Sequence, residues 1–446
     1  MRRLRVIVLD PGHFHAALSL RESHPGLEDL VHVYAPEGPG LAAFCAMIDS
    51  FNRRAVNPTR WQLHCHHEAD PLAALLRDRL GDLVILAGKN HSKLAAIEQL
   101  NAAGLMILAD KPWVTGEHSI PVLERAMGPD RPPTTDIMTS RFEPTSILLK
   151  AFLSEAGIFG QPVADAKDPA LSLGSIHHLL KVVNGSVLRR PEWYFDVVTQ
   201  GEGIIDVTTH LVDLAQWMLF PGQKIDFAKD VRLDSARRWA TPVALESFRR
   251  ITGAERFPEA VMAQVSDDVL QLFCNGEIRY RVKGIAVKVS VDWHLEQPPG
   301  AGDTHLTVAR GTKADLIVRQ PPERGYRKEF VISPKTAMPG LSGAITAALQ
   351  RHVPDWTGLT VEPLGHEYLV QIPPARQTTH EQHFCEARDA FLAQVAGGIE
   401  PCEHRTNLVT KYTLLAAARK LAHACEATLP SPVAGSSPVQ PRKNFL

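Results

Sequence analysis

The sequence predicts an α/β chain in which a doubly wound parallel sheet precedes an α+β domain with a large, mostly antiparallel sheet. Three observations predict it. Short apolar runs alternate with helix-like stretches through the first third of the chain, as in successive βα units. From about Ile225 long segments alternate apolar and polar residues with the period of two of half-buried strands. The 446 residues exceed one ordinary core, so two domains are expected, 1–145 and 146–428. The stretch 429–446, rich in Pro and Ser, is expected to be a disordered tail.

In order, residues 5–9 form a β-branched first strand that runs into Pro11-Gly12, and a helix follows from Ala16. Strands at 30–34, 61–67, 83–86 and 105–108 then alternate with helices at 41–51, 71–80 and 93–103. Most of these strands are apolar throughout, which means a sheet covered on both faces. In the second half, strands are expected at 261–273, 278–293, 305–318, 326–332 and 360–372. Helical periodicity marks 379–396 and 408–424.

Lys plus Arg (48) nearly equals Asp plus Glu (49), and the formal charge is -1. No basic excess is available to hold a phosphate backbone, so nucleic acid is not an expected partner. The apolar run 6–9 is too short for a signal peptide, and no stretch has the length to span a bilayer, so no membrane role is expected. Six cysteines without paired spacing suit free thiols in a reducing, cytoplasmic setting.

Ligands of doubly wound sheets bind at the carboxyl ends of the strands, where the strand order reverses. A dinucleotide turn of the Rossmann type wants G-x-G-x-x-G after the first strand; this chain offers Asp10-Pro11-Gly12-His13-Phe14-His15. Gly12 keeps the middle glycine, with His13 and Phe14 beside it as further cofactor-contacting candidates. A turn that binds nothing explains the same residues, and the turn alone does not choose. Glu37, after the second strand, stands where an acid accepts from the adenosine ribose and disfavours a 2′-phosphate. NAD is therefore expected, with NADP possible. The fourth strand ends in Ala87-Gly88-Lys89-Asn90, small and polar, which adds Gly88 and Asn90.

The fifth strand runs into Ala109-Asp110-Lys111-Pro112. Here the chain resembles the glucose–fructose oxidoreductase / inositol dehydrogenase (Gfo/Idh/MocA) family, which carries Glu-Lys-Pro with an often cis proline and a lysine aimed at substrate. Asp110 replaces the usual glutamate. The return 140–144, with Arg141, resembles the same family. So does Gly201-Glu202-Gly203-Ile204-Ile205-Asp206-Val207-Thr208-Thr209-His210, a glycine-rich turn with an aspartate four residues before a histidine. That spacing puts Asp206 and His210 on one helical face, with Asp206 in a first turn whose dipole favours its charge.

The resemblance implies a nicotinamide-dependent oxidoreductase of a sugar, polyol or glycoside. Lys111 would hold the reacting oxygen, His210 would relay the proton and Asp206 would orient His210. Burial beside a cationic nicotinamide disfavours a charged lysine, which suits proton exchange. Asp110 and Pro112 join the cofactor set; Trp193 and Asp196 stand where the family often contacts substrate. Arg141, His177, His178 and Lys181 are further substrate-binding candidates, the last three explained as well by a polar strand edge. A homodimer or homotetramer through the large sheet is implied. Two alternatives stay open: a glycosidase- or lyase-like enzyme that keeps NAD for an internal redox cycle, and a non-catalytic nucleotide or sugar sensor.

No metal site is expected. His64-Cys65-His66-His67 and His13-Phe14-His15 lack further ligands at fitting spacing, and His380-Glu381-Gln382-His383 is not a zincin helix. No G-x-S-x-G elbow occurs. Asp213 reads as a surface or capping acid.

Overall fold

The computed structural model describes residues 2–163, 168–183, 186–398 and 400–428; the expected tail at 429–446 lies outside them. Six parallel strands make the first sheet: Leu4–Leu9 (β1), Leu27–Ala35 (β2), Gln62–His67 (β3), Leu83–Leu86 (β4), Met106–Ala109 (β5) and Thr134–Asp136 (β6). Their order, β3-β2-β1-β4-β5-β6, reverses between β1 and β4, which places a switch point at the ends of those two strands. All four residues of β4 and the last four of β1 are buried, because helices cover both faces. β3, on the edge, buries little. β6 has three residues, too few to show a period in the sequence.

The second sheet has ten strands. Nine follow one path: Leu171–Leu180 (β7), Val231–Ala244 (β8), Val269–Val282 (β9), Ile285–Glu296 (β10), Thr304–Arg310 (β11), Ala314–Arg319 (β12), Glu329–Pro334 (β13), Thr360–Leu364 (β14) and Glu367–Gln371 (β15). Their order is β8-β9-β10-β7-β11-β12-β13-β15-β14. Every pairing is antiparallel except β10 with β7. The predicted fold class is therefore the observed one.

Three boundaries differ from the sequence reading. Cys274-Asn275-Gly276 resembles a turn, yet it lies inside β9; the hairpin turns instead at Lys283-Gly284, both at positive φ (47° and 84°). The segment 305–318 divides at Gly311 into β11 and β12, and 360–372 divides at Gly365 (φ 64°) into β14 and β15. The edge strand β8 and the helix Leu341–His352 were not expected.

One apolar cluster runs through both sheets, from Ile7, Val84 and Ile107 to Val287, Leu316 and Phe330. The helix His404–Thr428 brings Tyr412 and Leu415 into the same cluster. Among the described residues no helix is long and apolar enough to cross a membrane, and no disulfide occurs.

Candidate active site

The carboxyl edge of the first sheet faces β7 and its neighbours across a cavity of about 400 Å³. On the first side it is lined by His13, His15, Asp110, Lys111, Asp206 and His210. On the other side it is lined by His177, Lys181, Asp303, His305 and His380.

β5 ends at Ala109, so Asp110 and Lys111 emerge at the cavity floor. The Lys111–Pro112 peptide is cis. The Lys111 ammonium pairs with the Asp206 carboxylate, which also accepts a hydrogen bond from Gln200 Nε2 at 3.1 Å. Asp206 is brought there by the turn 201–207, and that turn needs glycine: a Cβ on Gly203 would lie 1.7 Å from the Cys274 carbonyl oxygen of β9. Gly203 N–H donates to the Phe273 carbonyl at 3.0 Å, which docks the turn on the second sheet. Behind it, buried Glu202 accepts from Arg419 (2.8 Å) and pairs with His423 (2.9 Å) of the last helix.

The expected relation of Asp206 to His210 is corrected in one respect. The helix Thr208–Leu219 starts after Asp206, so this carboxylate lies outside the first turn and its partner is Lys111. His210 sits in the first turn instead. Its Nδ1 is buried without a hydrogen-bond partner among the described residues. Burial, and then the nearby Lys111 charge, hold His210 well below the ordinary imidazole pKa, so it is neutral and able to accept a proton.

At the turn after β1, Asp10 takes a positive φ (42°), which costs a non-glycine residue some strain. Its carbonyl accepts from Gly12 N–H at 2.7 Å. A Cβ on Gly88 would lie 2.7 Å from that carbonyl, so the turn after β4 needs glycine there to approach the turn after β1. His13 N–H donates to the Ala87 carbonyl at 3.0 Å, and the helix that follows, His15–Leu18, is a single turn. Gly12 is covered by the Trp193 indole, 3.9 Å from where its Cβ would be. A dinucleotide's diphosphate does not fit this turn as it fits a glycine cradle. The nicotinamide end of such a cofactor fits better, because Lys111 and His210 are among the residues that line the cavity.

The remaining candidates divide. Phe14, Gly88 and Asn90 line the cavity, with Asn90 Nδ2 donating to the Gln200 carbonyl at 2.7 Å. Pro112 packs beside Gly201. Glu37 follows β2 as expected but is an exposed side chain, 3.8 Å from His67. His177 and Lys181 reach the cavity and share Asp303, at 3.0 and 2.7 Å. Burial opposes the charge of Asp303, but His177 and Lys181 outweigh it and hold the carboxyl far below its usual range.

His178 is not in the cavity wall; its buried ring lies 3.7 Å from the other Asp303 oxygen. Asp196 caps a short helix, accepting from Val198 N–H at 3.0 Å, and is not in the cavity wall. Arg141 makes a two-pronged pair with Asp213 at 2.6 and 2.7 Å, behind the site rather than in it. Asp213 is therefore no surface acid; it is buried and also meets Lys411 at 2.8 Å. Sequence reasoning missed Asp303 and His305, whose local context carries no motif, and set His380 aside with the run 380–383 as no zincin helix.

The family described as "Putative oxidoreductase C terminal domain" matches residues 148–423. A crystal structure described as a putative oxidoreductase from Parabacteroides merdae ATCC 43184 is 36% identical, with TM-score 0.89, covering 95% of this chain and 98% of that one. Levoglucosan dehydrogenase in complex with NADH and levoglucosan shares the fold at TM-score 0.61 and 14% identity, over 95% of this chain and 98% of that one. GenD2 from gentamicin A biosynthesis, in complex with NAD, does so at 0.58 and 13%, over 95% of each chain. No curated protein matches the chain.

Proposed function

Because the chain belongs to the family of the putative oxidoreductase C-terminal domain, we propose that it is an oxidoreductase of carbohydrates. In this reading a hydride passes between a nicotinamide dinucleotide, NAD in preference to NADP, and a secondary alcohol or keto group of a sugar, polyol or glycoside. The observation that carries the reading is the group Lys111, Asp206 and His210, assembled from two distant segments at one end of a buried cavity. The sequence resemblance to the Gfo/Idh/MocA family and the shared fold with NAD- and NADH-bound proteins support it.

The nicotinamide, when bound, supplies the hydride acceptor or donor. The chain's own residues handle the oxygen. Asp206 fixes the Lys111 ammonium through one N–H, leaving two others to hold the substrate's hydroxyl or carbonyl oxygen. His210, held neutral by its burial and lining the cavity, takes the hydroxyl proton during oxidation and returns it during reduction. Across the cavity, His177, Lys181 and Asp303 offer donors and an acceptor to the other hydroxyls. A sugar face can lie against the Trp293 ring, which also stacks on His177 at 4.9 Å.

The test is nicotinamide absorbance with NAD or NADP against sugars, polyols, glycosides and their keto forms, with dinucleotide binding measured directly. Turnover on at least one substrate, lost in Lys111→Ala, is expected. Absence of dinucleotide binding, or unaltered turnover in Lys111→Ala, rejects the reading.

A further inference from the structure

His13 and His15 flank Phe14 on the turn after β1, while Asp110 directly follows β5, 95 residues from His15. The pairing of β1 with β4 and of β4 with β5 brings both strand ends to one edge. There His15 Nδ1 lies 3.2 Å and His13 Nδ1 3.8 Å from Asp110 Oδ2, and the three donor atoms fall within 4.8 Å of one another. Ligands of a tetrahedral ion bound at about 2.1 Å stand about 3.4 Å apart, between the two separations of the imidazoles from Asp110 Oδ2.

We propose that His13, His15 and Asp110 hold a divalent transition-metal ion of the zinc type, with at least one coordination position open to the cavity. Two imidazoles and a carboxylate are a donor set such ions take. Three protein ligands with an open position mark a site that handles a ligand, where a structural site would be closed by four.

A second observation points the same way. His13 Nδ1 is buried and has no hydrogen-bond partner among the described residues, a costly state for a polar atom aimed at a carboxylate it does not reach. The surroundings also suit a ligating carboxylate. Lys93 binds the other oxygen, Asp110 Oδ1, and is itself held by Asn90 Oδ1 at 2.6 Å, which leaves Oδ2 turned toward the imidazoles. The two ammonium groups close by do not leave the site cationic, because Lys93 sits on Asp110 and Lys111 on Asp206.

An ion here also accounts for the turn. The Gly12 and His13 N–H groups are turned inward onto backbone carbonyls and the helix is one turn long, so the turn offers less of the positive end that a glycine-rich turn presents. The ion supplies that charge to a chelating pair of oxygens. They belong either to a dinucleotide diphosphate or to adjacent oxygens of a sugar. Only the identity of these oxygens rests on the oxidoreductase reading; the ion's binding does not.

The full chain, stripped of metal and titrated with Co²⁺, is expected to develop visible d–d bands with an end point of one ion per chain. His13→Ala and His15→Ala each abolish the bands, and Asn90→Ala weakens binding about ten-fold. No stoichiometric binding, or bands unchanged in both histidine variants, overturns the site. Should a histidine variant fail to fold, X-ray absorption of the zinc-loaded wild type decides, since two imidazole ligands are required. Bands shifted by NADH assign the open position to a diphosphate, and bands shifted by glucose assign it to sugar oxygens. Bands that neither probe moves overturn the open position. Lys111→Ala that keeps the bands but lacks turnover bears on the proposed function alone.

Discussion

In the proposed reading three side chains handle the substrate oxygen, and they were legible in the sequence for two reasons. Lys111 stands out by the proline that follows it, His210 and Asp206 by a glycine-rich turn. What could not be read was the pairing. A spacing of four suggests a shared helical face, but the helix begins at Thr208, and Asp206 turns to a lysine 95 residues away. Only the assembled fold decides between the two partners. This choice has a consequence. If Asp206 positions Lys111, then Asp206→Asn keeps the side chain's shape but removes the charge that holds the ammonium. Turnover is expected to fall by about 100-fold, the usual size of a lost proton-transfer contribution, with the loss in kcat rather than KM. Steady-state kinetics on the substrate found by the absorbance screen checks it. A loss confined to KM would mean that Asp206 serves binding alone. Asp303 and His305, on the far wall, were illegible because they lie on the second sheet or beside it with no motif around them, and His380 was set aside because its His-Glu-Gln-His run lacks zincin spacing.

Elements were read well where their period was long and poorly where a glycine misled. The apolar strands of the first sheet are recognisable because helices cover both faces. Gly276 imitates a turn, yet it lies within β9 because Ile204 packs on it, at 2.7 Å from where a Cβ would stand. The turn 201–207 meets the sheet so closely that both partners give up side chains. Gly203→Ala would drive a Cβ into the Cys274 carbonyl, and the backbone must move to relieve it. The expected cost is about 1–3 kcal/mol or more, the range for overpacked sites. A urea midpoint lowered accordingly, with β-sheet circular dichroism retained, is the expected result; an unchanged midpoint would show that the turn is loosely docked. The helix Thr208–Leu219 is tied from its other face. Asp213 bridges Arg141 and Lys411, and Lys411 also meets Asp136 at 2.8 Å. Asp213→Ala leaves buried Lys411 and partly exposed Arg141 with one fewer counter-charge, and about 3–5 kcal/mol of stability is expected to be lost, mostly at Lys411. Chemical denaturation measures it, and a loss below about 1 kcal/mol would mean that water enters to solvate Lys411.

For the molecule as a whole, the cavity lies where two sheets meet, and two paired carboxylates, Asp213 buried and Asp303 partly buried, hold both sides of that meeting. Asp213 ties helices behind the site, and Asp303 ties β7 to the segment before β11 through His177 and Lys181. Burial works against both charges, but their cationic partners outweigh it, and each folded-state pKa lies far below the ordinary aspartate value. In the unfolded chain the same groups titrate at about pH 3.9, as aspartates in solvent do. The unfolded state therefore binds more protons than the folded state once the pH falls below about 4. Their contribution is fully present above that pH and is lost progressively below it, at up to about 1.4 kcal/mol per pH unit for each group. Urea midpoints should thus hold nearly level from about pH 7 to 5 as far as these two groups are concerned, then fall steeply from about pH 4 toward pH 2. Asp213→Asn should start from a lower stability and lose it less steeply over the same window. A wild-type curve no steeper than that of the variant would mean that Asp213 is protonated, or hydrated, in the folded protein and does not fasten the helix that carries His210.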